Sequence, residues 1–196
     1  MKYGCRKCRR EGEKLLLKGE RCLSPKCAIT KRPYPPGQHG LQKTKKLSEY
    51  GRQLREKQRL KKIYGLSEST LKKYYNNSEK SKGNTTEYLI SLLELRLDNI
   101  LYRANLADSR SGSRQLVSHG KVLVNGHKVT IPSIILKEKD IISFAKGLKF
   151  DKISNQKLSW FKTDPKKGEI AINHLPLREE IDINVNENLV VEYYSR

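Results

Sequence analysis

Beyond position 27 this chain of 196 residues contains no cysteine. It has one tryptophan, three phenylalanines and one methionine, and hydrophobic residues make up only 36 %. No stretch approaches the ~20 consecutive apolar residues of a membrane span. A core built from this composition must be modest or divided, and the length suits one or two small domains. No apolar run follows Met1-Lys2-Tyr3-Gly4, so neither a secretory signal nor an oxidising compartment is expected. The patterns G-x-x-x-x-G-K-[ST], H-E-x-x-H and G-x-S-x-G are all missing. With them go the phosphate-loop, zinc-protease and serine-hydrolase readings. No catalytic domain is legible, so neither enzymatic activity nor a small-molecule substrate is expected.

Acidic charge is scarce where it would be most needed. Residues 1–82 hold 24 Lys and Arg against 7 Asp and Glu, a net of +17 out of +20 for the whole chain. Self-repulsion of that size works against compaction and is useful only beside a large anion, nucleic acid first among the candidates. Residues 83–196 are nearly balanced. A basic half joined to a balanced half implies two modules. The few acids in the basic half are read as solubilising partners.

The cysteines that are present read Cys5-x2-Cys8-x13-Cys22-x4-Cys27. Two close pairs across such a spacer match a closed structural zinc site, each pair supplied by a tight turn. Four thiolates also suit an iron–sulfur cluster, and two disulfides are the plainer alternative. Arg6, Arg9, Arg10 and Arg21 cluster around the pairs.

Next comes Arg32-Pro33-Tyr34-Pro35-Pro36-Gly37-Gln38-His39-Gly40. Three prolines and two glycines exclude helix and ladder, leaving an extended loop. Tyr34 and His39 offer stacking surfaces for unpaired RNA bases, Gln38 lies beside them, and Arg32 offers a phosphate contact. Residues 48–64 read as a helix capped by Ser48 and stopped by Gly65. Its apolar stripe is too interrupted for a membrane surface. Arg52, Arg55, Lys57, Arg59, Lys61 and Lys62 fill the rest as phosphate contacts. A second helix is expected after Ser67, and a boundary at Lys80-Ser81-Lys82-Gly83.

A long helix is expected from Asn84, whose spacing to Glu87 is that of a capping box. Leu89, Leu92, Leu93, Leu97, Ile100 and Leu101 keep its period. Arg96, Asp98, Asn99 and Arg103 fall off that stripe. Asp108 or Ser109 can cap a short helix ending at Gly120, on which Arg110 and Arg114 share a face able to bridge two phosphates. Asn125-Gly126 between apolar alternations is a hairpin signal. Ile134–Leu136 and Ile141–Phe144 are further strand candidates, with a turn at Lys166-Lys167-Gly168. Leu189–Tyr194 reads as a strand or extended docking segment.

The run Arg96-Leu97-Asp98-Asn99, then Ser113-Arg114-Gln115-Leu116-Val117 with His119-Gly120, then Val124-Asn125-Gly126 and Ile131-Pro132-Ser133, resembles the S-four RNA-binding module. The cysteines, the proline loop, Arg55-Glu56-Lys57-Gln58 and the ending Val185–Arg196 extend the resemblance over nearly the whole chain, to the S-four family of bacterial-type small-subunit ribosomal proteins. It implies an α+β protein: a metal-stabilised knuckle with its proline loop (1–40), a basic helical region (41–83), a helix-helix-antiparallel-sheet module (84–173), and a segment packing back on the N-terminal domain (174–196). It also implies Cys5, Cys8, Cys22 and Cys27 as ligands for zinc. Phosphate contacts would come from Arg6, Arg9, Arg10, Arg21, Arg32 and the basic helix, and from a second face of Arg96, Arg110, Arg114, Gln115 and His119, with Lys121 and Lys128 beside it. The implied partners are small-subunit ribosomal RNA near a junction in its 5′ region, the fifth and third small-subunit proteins, and mRNA at the entry channel; no membrane is involved. The expected location is the ribosome of a cytoplasm or organelle, and in some bacteria such a protein also represses its own message. The family often has Gly-Asp where Lys139-Asp140 stands, and a helix-favouring pair at Gly112-Ser113. An RNA-modifying enzyme or regulator carrying the same module, and a zinc-finger DNA regulator, are the alternatives; the latter would need a recognition helix and a dimer interface.

Overall fold

The structure, a computed structural model, describes residues 4–42, 46–81, 83–145, 158–164 and 167–196. The chain divides into two compact units, Met1–Lys80 with Asn184–Arg196, and Ser81–Ile183. The boundary expected at 80–83 falls at 80/81; Lys82 lies outside the described residues. The segment expected to act as one piece over 174–196 is split, with 174–183 in the second unit and 184–196 in the first.

The first unit is helical. Three short helices, α1 (Gly4–Glu11), α2 (Glu20–Leu23) and α3 (Ala28–Lys31), precede α4 (Glu49–Ile63) and α5 (Glu68–Glu79). The α4 start is local chemistry, since the Ser48 hydroxyl accepts from the Gly51 N–H at 3.2 Å and so satisfies an orphan donor of the first turn. Ser67 does the same for α5 through Thr70 N–H. Between them Gly65 turns the chain at φ +64°, which glycine adopts without a Cβ clash. A small core of Cys8, Leu15 and Leu17 packs with Ile63.

The second unit begins with α6 (Thr85–Glu94), capped by Asn84, whose side-chain oxygen accepts from Thr86 N–H. Glu87 bonds the Asn84 side-chain amide. The single long helix expected here is interrupted. Arg96 is extended, and α7 (Leu97–Arg103) starts afresh. The cause is pairing with a distant segment: Leu97 N–H donates to Ile134 O, Leu136 N–H to Leu95 O, and Asp98 N–H to Pro132 O. Ile134–Leu136 is accordingly not a strand of the sheet, but Ile135 forms an isolated bridge with Arg96. Helix α8 (Arg110–Ser118) is capped by Ser109 and followed by Gly120 at φ +66°. It runs through Gly112, where an added Cβ would meet the Ala107 methyl at 3.3 Å; the glycine there serves close packing rather than a break.

Strands β1 (Val122–Val124), β2 (His127–Val129), β3 (Ile141–Phe144), β4 (Phe161–Asp164) and β5 (Glu169–Ile172) form one antiparallel sheet in the order β2-β1-β3-β5-β4. The β1–β2 hairpin turns on Asn125 (φ +51°) and Gly126 (φ +80°), the positive pair a type I′ turn demands. Helices and sheet enclose one core of Leu97, Ile100, Leu101, Val117, Val122, Ile142, Trp160 and Ile170 with their neighbours. Lys166 and residues 146–157 lie outside the described residues, so the turn expected at 166–168 is described only from Lys167.

The last element corrects an expectation. Leu189–Tyr194 lies within a helix, α9 (Glu187–Tyr194), capped by Asn186. It belongs to the first unit and packs on α4. Its valines favour strands in isolation. As a helix, however, it brings Val190, Tyr193 and Tyr194 to one side, and Val190 is fully buried. Tertiary packing overrides the propensity.

Candidate nucleic-acid interface

The basic helix α4 is less open than its composition suggested. Lys57 is only 4 % exposed; its ammonium lies 2.6 Å from Glu68 Oε1, and Lys61 reaches the other oxygen of that carboxylate at 2.8 Å. Arg55 pairs with Glu11 at 3.3 Å, and Lys62 bonds the same Glu11 oxygen. Arg59 lies 3.0 Å from Glu56 and 3.1 Å from Glu13, the latter contact without hydrogen-bond alignment. So Lys57, expected to touch phosphate, is an interior group, and Arg55, Arg59, Lys61 and Lys62 are partly spent on the fold. Glu11, Glu13, Glu56 and Glu68 are internal ion-pair partners, not the scattered solubilising acids expected. Arg52 is exposed.

Desolvation works to raise the Glu68 carboxyl. Hydrogen bonds from Lys57, Lys61 and Tyr194 outweigh it and hold the group at about 2. The same burial and the Glu68 charge push the Tyr194 phenol well above its ordinary range.

The four cysteines line one pocket with Leu17, Lys18, Arg21, Ala28 and Ile29. Cys5 and Cys8 sit one turn apart on α1, so the first pair comes from a helix and not from the tight turn expected. Cys22 is on α2, and Cys27 immediately precedes α3. All four are free thiols, so the disulfide alternative is not formed. Cys22 Sγ accepts from Lys18 N–H at 3.3 Å. Burial raises the Cys8 thiol above its ordinary value against a hydrogen bond from Leu15, and Cys22, Cys5 and Cys27 add to the rise. Mutual opposition of that kind is what a bound cation reverses. Among the described residues no three His, Cys, Asp or Glu side chains form a ready ligand set. The four sulfur atoms that share this pocket nevertheless fit a thiolate-bound metal by donor chemistry.

Arg6, Arg10, Arg21 and Arg32 are exposed around this pocket. Arg9 is not used in the same way. Its Nε donates to Tyr34 O at 2.9 Å and its Nη2 to Pro35 O at 3.2 Å, while its guanidinium covers the Tyr34 ring at 4.7 Å. Gly40 closes the loop so tightly that a Cβ would lie 2.1 Å from Pro35 O. The proline loop therefore has a fixed path, with Tyr34 half-buried and Gln38 and His39 exposed on it.

In the second unit Arg96 is 2 % exposed. Its Nε and Nη2 grip Asp98 at 3.0 and 2.8 Å, which removes it from the outer face where it was expected. Arg114 reaches the same carboxylate from α8, its Nη2 2.6 Å from Asp98 Oδ2. Arg110 donates to Asn99 Oδ1 at 2.8 Å and lies over the Tyr102 ring at 4.4 Å. Asn99 in turn donates to Glu94, which also binds Arg103. Gln115, His119, Lys121 and Lys128 are exposed beyond this pair. The stem of Lys128 packs over Gly120, where a Cβ would lie 2.2 Å from its Cε. Sequence reasoning missed Glu94; a lone acid between Leu93 and Leu95, fully buried, was the available signal.

Residues 2–94 match the family model described as the ribosomal protein S4/S9 N-terminal domain, and residues 95–142 match the S4 domain. Small ribosomal subunit protein uS4 of Halothermothrix orenii is 49 % identical, covering 98 % of this chain and 96 % of its own. Protein uS4A of Alkaliphilus metalliredigens is 50 % identical with the same coverage, and uS4 of Clostridium tetani 48 %. With its architecture, cationic surfaces and nearly full-length relatives taken together, the chain belongs to the uS4 family of small ribosomal subunit proteins.

Proposed function

We propose that this chain is a structural component of the small ribosomal subunit that binds small-subunit ribosomal RNA. The observation that carries the reading is similarity to uS4 proteins along 98 % of the chain, combined with a net +17 in residues 1–82. The relatives match along nearly their whole length and are small ribosomal subunit proteins, which speaks against an enzyme or regulator that merely carries the module. Among the described residues no helix is long and apolar enough to cross a membrane.

In the finer reading, contact is made by Arg6, Arg10, Arg21, Arg32 and Arg52 with the proline loop in the first unit, and by Arg110, Arg114, Gln115, His119, Lys121 and Lys128 in the second. Phosphate and sugar contacts dominate, because side chains cannot readily enter the deep groove of duplex RNA. The RNA target is a helix junction in the 5′ region, where early binding nucleates assembly of the subunit body. Neighbouring the fifth and third small-subunit proteins, the chain lines the mRNA entry channel, contributes to decoding accuracy and works in the cytoplasmic or organellar ribosome. Cys5, Cys8, Cys22 and Cys27 hold zinc as a closed structural site; four sulfur donors leave no position for water and hence no metal chemistry.

The experiment is binding of the purified chain to a small-subunit ribosomal RNA transcript across a salt series, with co-sedimentation at moderate salt. Saturable binding with a steep salt dependence, and recovery with the small subunit, are expected. A chain that binds the transcript no better than an unrelated RNA, or that sediments free of the subunit, overturns the reading.

A further inference from the structure

We infer that Asp98 and Asn99 are positioning residues that pre-organise Arg114 and Arg110, so that the second unit recognises a particular RNA shape rather than RNA charge alone. The inference rests on the proposed RNA-binding reading and deepens it.

Helix α7 presents two buried polar side chains in its first turn, Asp98 at 2 % and Asn99 at 1 % exposure. Each holds one arginine of α8. Asp98 Oδ2 accepts from both Nε and Nη2 of Arg114, at 3.1 and 2.6 Å. Asn99 Oδ1 accepts from Arg110 Nε at 2.8 Å, and the Tyr102 ring supports the same guanidinium from below. Neither holder is itself loose. Asp98 is gripped by Arg96, and Asn99 donates to the side chain and backbone oxygen of Glu94. Glu94 is locked in turn by two bonds from Arg103. Two linked chains of hydrogen bonds thus run from the interior to two arginines one helical turn, about 6 Å, apart.

A surface needed only for its charge would not be built this way. Asp98 neutralises part of the field that attracts a polyanion, so its presence lowers non-specific affinity. What it supplies in exchange is orientation. A free arginine samples many rotamers and must give them up on binding, and an arginine already held gives up fewer. The held pair favours phosphates at one spacing and direction and gains nothing with others. Asp98 also sits in the first turn of α7, where the helix dipole favours a negative charge.

The test uses the full chain, a small-subunit ribosomal RNA transcript, and an unrelated structured RNA of equal length. Asp98→Asn keeps shape and removes charge. The expected result is tighter binding to the unrelated RNA with a salt slope steeper by about 0.7–0.9, and a preference for the transcript that falls roughly fivefold or more. If charge alone matters, Asp98→Asn tightens both RNAs alike and the inference is overturned. Should Asp98→Asn fail to fold, read by the fluorescence of Trp160 in the same unit, Arg114→Lys decides. It keeps the charge at a half-exposed position, so an unchanged slope with a lost preference supports the positioning role, and a retained preference overturns it. A wild-type chain with no preference for the transcript brings down the ribosomal RNA reading as well, which separates the two failures.

Discussion

The ammonium of Lys57 lies 4.0 Å from the centre of the Tyr193 ring. The Tyr194 ring stands 5.5 Å away, and Tyr194 also bonds Glu68, the carboxylate that Lys57 holds. A cation in the middle of α4 therefore joins α9 and α5 and is unavailable to a phosphate. Replacing Lys57 by Met keeps the stem and removes the charge. The first unit is expected to lose about 1–3 kcal/mol in urea denaturation, with the RNA salt slope unchanged. Arg52→Ala, at an exposed position, is expected to leave stability alone and lower the slope by roughly 0.7–0.9. If the two variants exchanged these effects, the inward assignment of Lys57 would be wrong.

Glu68 makes the first unit acid-sensitive in a defined window. Its carboxyl is held at about 2 against an ordinary 4.5. Above pH 4.5 the group is ionised in folded and unfolded chains, and its contribution is complete. As pH falls towards 2 the unfolded chain takes up the proton first, and the contribution is lost. Glu68→Gln is expected to be less stable at neutral pH and to lose less between pH 4.5 and 2. Thermal melts across that range, followed by tyrosine near-ultraviolet circular dichroism, read the difference; parallel curves would discount Glu68 as the source.

On the proposed zinc reading, Cys22→Ser, or treatment with a chelator, is expected to unfold residues 1–40 locally and leave residues 84–145 folded. Cys22 is buried in the shared pocket, and Leu17 of the same lining belongs to the small core with Cys8 and Leu15. Limited proteolysis locates the loss. The buried Trp160, 1 % exposed and the only tryptophan, gives an independent signal from the second unit. A Trp160 shift on chelation, or bound substrate or turnover at the metal, would contradict a closed structural site.

Lys139 occupies φ +69°, a conformation that costs a residue with a side chain about 1–2 kcal/mol. Glycine avoids that cost but loosens the unfolded chain by roughly 0.5–1 kcal/mol. Lys139→Gly is therefore expected to raise stability by up to about 1 kcal/mol, seen as a higher Tm, and Lys139→Ala to bring no such gain.

Features encoded by neighbours in sequence were legible. Ser48, Ser67, Asn84 and Ser109 each cap the helix that follows, and Asn125-Gly126 turns the hairpin. Features decided by distant pairing were not. Nothing near Arg96 announces a helix break, because the partners that cause it lie at Pro132–Leu136. The valines of α9 point to a strand until α4 is there to cover them. For the same reason cations could be found by counting, but not sorted into outward and inward. Arg55 and Lys62 depend on Glu11, and Arg9 on the carbonyls of Tyr34 and Pro35, all distant in sequence.

The split of the first unit between residues 1–80 and 184–196 sets an order of events during synthesis. A chain emerging from its N-terminus exposes α4 and α5 long before α9 exists. Residues 81–183, continuous in sequence, can close their own core while the first unit still waits. Until α9 arrives, Tyr75 lacks the stacked ring of Tyr194, and Gln53 lacks the Glu192 carboxylate it bonds at 3.0 Å. The most basic part of the chain is thus the last to be finished, and a nascent chain stalled before residue 187 carries the positive charge without the helix that organises it.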